Sequence, residues 1–600
     1  MEKFYITTAI DYVNASPHIG HAFEKVIADA IARWHKLSGK DVFFLTGTDE
    51  NAQKNVQAAN QANISVRELV DKNSKLFINL CKKLNIFNND FIRTSQERHK
   101  KIAKQIFKKI YDNGDIYKGK YEGYYCTGCE AFITEKELVD GKCPEHHTKP
   151  EWMSEDAYFF KLSKYKDKII KFIKTYIIPE SKKNEILSRL ENDELRDLCV
   201  SRTNLEWGID APVEKGYKIY VWIDALTNYI SGSQGNWPAN LHVIGKGINW
   251  FHSVIWPAIL MSAGYSLPDK LLVHGYLNLK GQKISKSLGN TINPLELLEK
   301  YKPDTIRYAL LRCSVFEDSD FSEEIIINRH NNELANNLGN LVSRTTALAE
   351  KYGMQAVENK LIKKLNLKKI EKHIENYELD KALQEIFKFI DVCNEYIQQK
   401  KPWETKDKQV LYELLDSIKA ITILLYPFLP DTAETIAKHF KFKLAYENIQ
   451  KPLSPSKIKK ISPLFTKVDI KQSDNKINKQ PSHKEIMGIK STNQISFDEW
   501  QKLDLRVGQI KKVGDIKGAD KLYKLEIDIG ETKQVVAGLK PYYKKQELES
   551  KKVILFTNLE PKKMKGIKSE GMMLAAVSEA QDKVSLIQPD KDIAIGSKVM

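Results

Sequence analysis

Residues 3–10, KFYITTAI, make a β-prone and largely apolar run that gives way to a loop carrying Asn14, Ser16 and Pro17. Phe23, Val26, Ile27, Ala30, Ile31 and Trp34 then recur at helical spacing, and Gly39 stands where that helix should stop. A second buried-strand run, DVFFLT, follows at 41–46. Strand, loop, helix and strand in this order open a doubly wound nucleotide-binding sheet, and little else that the chain does later can undo that start.

The chain has 600 residues, too many for one core. Three to five domains are expected. Residues 1–115 read as the first half of a Rossmann-like α/β domain. Residues 116–160, rich in Gly, Cys and Tyr, read as part of an insertion. Residues 161–270 read as the rest of the insertion and the second half of the sheet domain, where KIYVWIDAL (218–226) and LHVIGKGI (241–248) restore the α/β pattern. A segment at 271–325 carries a Gly-flanked basic loop. Residues 326–470 have helical periodicity and few strand signals, as in a helix bundle. Residues 471–494 are polar and poor in aromatics, the composition of a linker. Residues 495–600 carry short strands separated by turns, which predicts a small β-barrel.

Pro17-His18-Ile19-Gly20-His21 falls where the first strand yields to the first helix. Free backbone N–H groups and the positive helix end meet an anion there. Two histidines at that junction can donate to an α-phosphate as charge builds on it, and Gly20 lets a nucleotide base approach the backbone. A turn with two incidental histidines would look the same in isolation. Far downstream, however, Lys283-Ile284-Ser285-Lys286-Ser287 puts two lysines on the basic loop, suited to the pyrophosphate of ATP. With this pair of signatures the chain resembles the class I aminoacyl-tRNA synthetases. The resemblance implies attack of an amino-acid carboxylate on ATP, then transfer of the acyl group to tRNA. His18 and His21 would serve the α-phosphate, and Lys283 and Lys286 the pyrophosphate. Gly20, Glu24, Ser285 and Ser287 would complete the ATP site, and Mg2+ would bridge the phosphates.

Several stretches resemble the methionyl-tRNA synthetase family in particular: Ala9-Ile10-Asp11-Tyr12, Val221-Trp222-Ile223-Asp224-Ala225 with Tyr229, and IGKGINWFHSVIWPAIL with Ile248 and His252. By that resemblance Ala9, Ile10, Tyr12, Trp222, Ala225, Tyr229, Ile248 and His252 wall a methionine pocket, and Asp49 holds the ammonium group. A thioether has no strong hydrogen-bonding group, so shape and sulfur–aromatic contact must recognise it. The leucyl, isoleucyl and valyl relatives carry a large editing insertion for which the span between the signatures leaves no room. Two departures stand out. The family's Gly-Lys-Asp is Gly245-Lys246-Gly247 here, which transfers ribose contact to Glu24, and its Asp-Glu-His-Gly is Asp49-Glu50-Asn51-Ala52.

Seven cysteines make no disulfide framework, but three of them are bunched. Cys126-x-x-Cys129 and, past residues 130–142, Cys143-x-x-His146 have donors and spacing that suit tetrahedral zinc, with His147 a neighbouring candidate. Four protein ligands leave no open position, so one structural zinc is expected, and the resemblance favours His146. In the helical region, Asn340, Arg344 and Trp403 match the family's anticodon readers. Taken without the resemblance they are ordinary surface and core positions. The last hundred residues resemble the tRNA-binding OB-fold module, carried by Leu503 to Gly508, Ala519 to Tyr523 and Asn558 to Met564. That module implies a homodimer and charge-led tRNA binding. A formal net charge of +16 agrees with a polyanionic partner. No run of eighteen apolar residues and no signal-like N-terminus appear, so no membrane span and a cytoplasmic location are expected. The full expectation is an α/β Rossmann-like doubly wound catalytic domain with a zinc-knuckle insertion, an α-helical anticodon-binding domain and a C-terminal β-barrel. It would join methionine to tRNA(Met). Another class I synthetase, or a tRNA-binding paralogue without catalysis, is the alternative. The second should have lost a signature histidine or lysine, and all four are present.

Overall fold

The computed structural model describes residues 2–126, 138–139, 141–144, 148–203, 205–279, 291–454, 457–468, 502–577 and 584–599, with backbone alone at 131–133 and 282–283. It forms two units, Met1–Asn475 and Lys476–Met600. The first strand, β1 (Lys3–Tyr12), is buried on both faces along most of its length, the pattern of an inner parallel strand. It lies between β2 (Asp41–Asp49) and a much later strand, Leu241–Gly245, parallel to both. The six-stranded parallel sheet runs Asp90–Arg93, β2, β1, Leu241–Gly245, Lys270–His274, Ile177–Ile178. The chain thus leaves β1 to one side and returns on the other. The crevice at the carboxyl end of β1 is the switch point where such sheets bind ligands. The register of β1 shifts between Thr7 and Ile10, a break that re-aims the side chains entering this crevice.

The first helix, α1 (Ile19–Leu37), begins at that crevice. Val26, Ile27, Ala30, Ile31 and Trp34 bury its inner face, and Gly39 ends the turn after it at a φ of 89°. The insertion is an antiparallel sheet ordered Ala131–Ile133, Ile116–Cys126, Glu151–Phe160, Leu198–Cys199. Its last strand therefore comes from well beyond the Gly- and Cys-rich stretch.

One hydrophobic core continues from α1 through the helix Pro303–Leu311 into the helices Asn340–Tyr352, Leu379–Lys400, Lys408–Leu425 and Pro430–Phe440. Arg307, fully buried, fastens this junction. It pairs with Asp29 of α1 at 2.7 Å and donates to the carbonyls of Leu84, Pro427 and Phe428. Residues 457–468 close over the bundle: Leu464 and Phe465 are buried, and Asn331 exchanges two hydrogen bonds of 2.9 Å with the backbone of Val468.

In the second unit, strand Leu505–Asp515 pairs antiparallel with Tyr523–Asp528 on one side and Lys552–Phe556 on the other. Thr532–Ala537 and Met572–Met573 extend the two edges to a nearly closed five-stranded sheet. Ile510, Leu525, Ile527, Val535, Val553 and Leu555 fill its core. A Cβ on Gly508 would lie 2.6 Å from the Ile527 side chain, so the tight curl there requires glycine. Among the described residues no helix is long and apolar enough to cross a membrane.

Candidate active site

His18 caps α1. Its Nδ1 accepts from the Gly20 N–H at 3.1 Å, while the Nδ1 of His21 accepts from the His18 N–H at 3.0 Å. A backbone N–H only donates, so each Nδ1 must be the bare nitrogen, and in the neutral ring the proton sits on Nε2. The two imidazoles stack with centroids 3.7 Å apart. Each thus commits Nδ1 to the helix terminus and, in the neutral ring, carries its proton on Nε2. Gly20 has a local reason as well: a Cβ there would meet the His18 ring at 3.0 Å and disturb the cap.

Two charged groups that the motifs do not flag stand behind His21. Lys25, without solvent exposure, places Nζ 2.6 Å from Asp11 Oδ2, and Asp11 Oδ1 lies 3.9 Å from His21 Nε2. Burial works against the ammonium, but Asp11 and then Glu24 outweigh it, and the lysine holds its proton more tightly than usual. In the sequence Lys25 falls one turn after His21 on the polar row His21, Lys25, Asp29 and Arg33 of α1, and Asp11 interrupts a largely apolar strand, but neither belongs to a motif.

Glu24 Oε2 meets His274 Nε2 at 3.2 Å, and its buried Oε1 has no hydrogen-bond partner among the described residues. A buried carboxylate oxygen left without a donor is a place for a ligand's hydroxyl. Nearby, a Cβ on Gly247 would fall 2.1 Å from the Tyr276 hydroxyl. The tyrosine occupies the room that a carboxylate at 247 would need, which gives the departure at Gly247 a steric cause. Lys246 pairs with Asp318 at 2.7 Å, its ammonium 4.7 Å from the centre of the Tyr276 ring.

The residues assigned to the pocket are partly gathered. Ala9, Trp222 and Tyr229 are buried in one cluster, with Tyr12 and Ile248 packed against it. Ala225 is buried on the helix Val221–Leu226 that also carries Trp222. Ile10 faces the other way and packs with Tyr5, Leu45, Ile92 and Ala239. Trp222 stacks on Phe251 at 3.6 Å and meets Tyr12 and His252 edge-on, each at 6.5 Å. Phe251, beside His252 in the chain, is a wall residue that no motif announces. His252 Nδ1 lies 3.0 Å from the Ile248 carbonyl, which can only accept, so Nδ1 carries the proton and Nε2 accepts from the Tyr229 hydroxyl at 2.7 Å. Burial lowers its pKa to about 4, so the ring is neutral in ordinary conditions.

Asp49 ends β2 directly beside Tyr12 of β1 and is buried. The loop after it is held on both sides. Glu50 takes Arg93 through two hydrogen bonds, of 2.6 and 3.1 Å, and Asn51 donates to Asp224 at 2.7 Å. The other Asp224 oxygen meets His99 Nε2 at 2.6 Å. Asn51 therefore does structural work as a bridge from the Asp49 loop to the helix of Trp222.

In the helical region, Asn340 is exposed and Arg344 half-buried, one turn apart at the start of their helix. The Arg344 guanidinium sits 5.4 Å from the half-buried Trp403 ring. The three residues assigned to the anticodon thus share one corner. In the insertion, Cys126 and Cys143 are both buried, the first at a strand end and the second after a turn bridged by Val139 and Lys142. Cys129, His146 and His147 lie outside the described residues, as do Ser285, Lys286, Ser287 and the Lys283 side chain. Cys81, Cys199, Cys313 and Cys393 are buried, and burial raises all four thiols, Cys81 and Cys199 to about 12.

A parallel sheet with paired imidazoles at its switch point, joined to a helix bundle and a small curled sheet, is the frame of a class I tRNA synthetase. The chain matches the family described as tRNA synthetases class I (M) over residues 4–150 and 146–346. It matches an anticodon-binding domain of tRNA ligases over 358–500 and a putative tRNA-binding domain over 505–598. It is 40% identical to the methionine–tRNA ligase of Caldanaerobacter subterraneus, over 100% of both chains, and 40% identical to that of Thermotoga maritima over the same shares. Identity to the Bacillus subtilis enzyme is 36% over 99% of each chain. Among solved structures, methionyl-tRNA synthetase of Mycobacterium tuberculosis in complex with methionyl-adenylate superposes with a TM-score of 0.74 at 35% identity, covering 77% of this chain and 99% of that one. The chain belongs to the methionyl-tRNA synthetase family.

Proposed function

We propose that the chain activates methionine with ATP to methionyl-adenylate and passes the methionyl group to the 3′ end of tRNA(Met), in the cytoplasm. The observation that carries this reading is the pair of stacked imidazoles at the switch point, each with Nδ1 fixed by the helix terminus and its proton on Nε2. They fit the α-phosphate, whose charge grows as the methionine carboxylate attacks it and pyrophosphate leaves. Lys283 and Lys286, with Ser285 and Ser287, serve the departing pyrophosphate, Gly20 leaves room for the nucleotide, and the unpartnered Glu24 Oε1 accepts from a ribose hydroxyl. Mg2+ arrives with ATP and neutralises phosphate charge. Tyr12, Trp222, Ala225, Tyr229, Ile248 and His252, with Ala9 of β1, enclose the thioether, and Asp49 takes the ammonium group; Ile10, on the opposite face of β1, supports the strand from behind. Aromatic faces and a neutral histidine suit sulfur and disfavour a charged side chain.

ATP–pyrophosphate exchange with each of the twenty amino acids, without tRNA, tests this. Methionine should be preferred, and Lys286→Ala should slow exchange by roughly a hundredfold or more, as removal of a donor aimed at the transition state does. Preference for another amino acid would overturn the reading.

Cys126, Cys129, Cys143 and His146 are proposed to hold one zinc as a closed structural site. Both Cys126 and Cys143 are buried, as donors to a closed site must be, which supports that donor set. Metal analysis should find one zinc per chain, and Cys129→Ser should lose it and loosen the insertion. Asn340, Arg344 and Trp403 read the anticodon. The second unit adds tRNA affinity through a hairpin that exposes Lys562, Lys563, Lys565 and Lys568, and it pairs two chains through its exposed apolar residues, among them Met572, Val577, Ile587 and Ile593.

A further inference from the structure

We infer that Asp11 and Lys25 act together as a positioning pair for His21: the carboxylate steers the Nε2–H, and the lysine cancels the carboxylate's charge so that it does not repel the phosphates. This rests on the reading that His21 faces the α-phosphate. The geometry is direct. Asp11 gives one oxygen to Lys25 at 2.6 Å and turns the other to His21 Nε2 at 3.9 Å. That second distance is too long for a hydrogen bond but short enough to orient an N–H dipole. An incoming phosphate oxygen is the better acceptor, so the proton can be handed over to it. His21 cannot turn its other nitrogen outward, since Nδ1 is held by the helix cap. Lys25 sits on α1 one turn beyond His21 with no exposure of its own, and so cannot reach the phosphates. Its shortest link to the site is through Asp11, with Glu24 the weaker one.

A buried pair of this kind can also matter for folding alone. Steady-state exchange kinetics on the full chain separate the two roles, with ATP and methionine varied in turn. Lys25→Met removes the cation that balances the Asp11 carboxylate beside the phosphates, so KM for ATP should rise about tenfold or more while KM for methionine stays within about twofold. Asp11→Asn removes the steering charge, and kcat should fall by roughly tenfold. The double variant carries neither charge and should regain most of the ATP affinity that Lys25→Met forfeits, a non-additivity expected only of coupled groups. Additive effects, or folded single variants with unchanged ATP kinetics, would overturn the inference. Should Lys25→Met fail to fold, the double variant carries the test: normal methionine binding with lowered kcat supports positioning, and a native kcat sinks it. His21→Asn is the separate control. Normal exchange in that variant would remove the site reading itself, whereas slow exchange there with indifferent Asp11 and Lys25 variants would remove only the positioning role.

Discussion

His252 donates to the Ile248 carbonyl and accepts from Tyr229. A second proton would leave two donors facing each other in a fully buried place. This makes the catalytic unit's stability depend on pH in a defined way. The folded state binds this proton with a pKa of about 4, against an ordinary value of 6.5. The unfolded chain therefore holds more protons between those values, and stability falls as pH drops through that window. The contribution is complete above 6.5 and lost on approach to 4. Between pH 7 and pH 4.5 the histidine accounts for about 2 kcal/mol of the decline. Urea unfolding at the two pH values should show a smaller decline for His252→Gln by about that amount; an unchanged decline would mean that His252 titrates elsewhere. At this scale the sequence was only partly legible. His18, Gly20 and His21 stood out through motif spacing, and the structure sets them together at the start of α1. Asp11, Lys25, Phe251 and the Asn51–Asp224–His99 bridge did not stand out, because each matters through a partner distant in the chain. Gly247 read as a missing carboxylate, and only the Tyr276 hydroxyl beside it supplies a cause.

Among the elements, the buried parallel strands and α1 were plain in the sequence, since inner strands are continuous apolar runs and α1 keeps one apolar face. The insertion's sheet was not. Leu198–Cys199 is too short to carry a pattern, and it joins through pairing with Phe159 and Phe160 alone. The corner of Asn340, Arg344 and Trp403 was named by family resemblance alone, since no local pattern marks it. It needs the helix Asn340–Tyr352 and the four-residue helix Pro402–Thr405 to meet, with Arg344 placed over Trp403. A half-exposed indole with a guanidinium beside it is a ready platform for an unpaired base. Trp403→Ala should therefore weaken charging of tRNA bearing CAU by at least several-fold, since a stacked base is worth about 1–3 kcal/mol. Pyrophosphate exchange should stay near normal. Equal damage to both reactions would make Trp403 a packing residue that props up the bundle.

On the scale of the whole molecule, the question is what the second unit adds to a first unit that already holds the sheet, the insertion and the bundle. A chain cut near residue 470 keeps Phe465 and the Asn331–Val468 hydrogen bonds, so the bundle's closing segment remains in place. The removed unit has its own core around Ile510, Leu525 and Leu555, and no described element of the sheet domain is interrupted. Methionine activation should therefore persist in the truncated chain. Two properties should change. The intact chain should sediment as a dimer and the truncated one as a monomer, because the exposed apolar residues of the second unit leave with it. Affinity for tRNA should fall and its salt dependence flatten. Every lysine–phosphate pairing that the cut removes lowers the slope of log affinity against log salt by about 0.7–0.9, and the hairpin of Lys562 to Lys568 offers several such pairings. Discrimination among tRNAs should survive, since Asn340, Arg344 and Trp403 stay behind. Sedimentation and tRNA binding at two salt concentrations, on both chains, decide the matter. A truncated chain that is still dimeric and keeps its salt slope would show that the second unit does neither job.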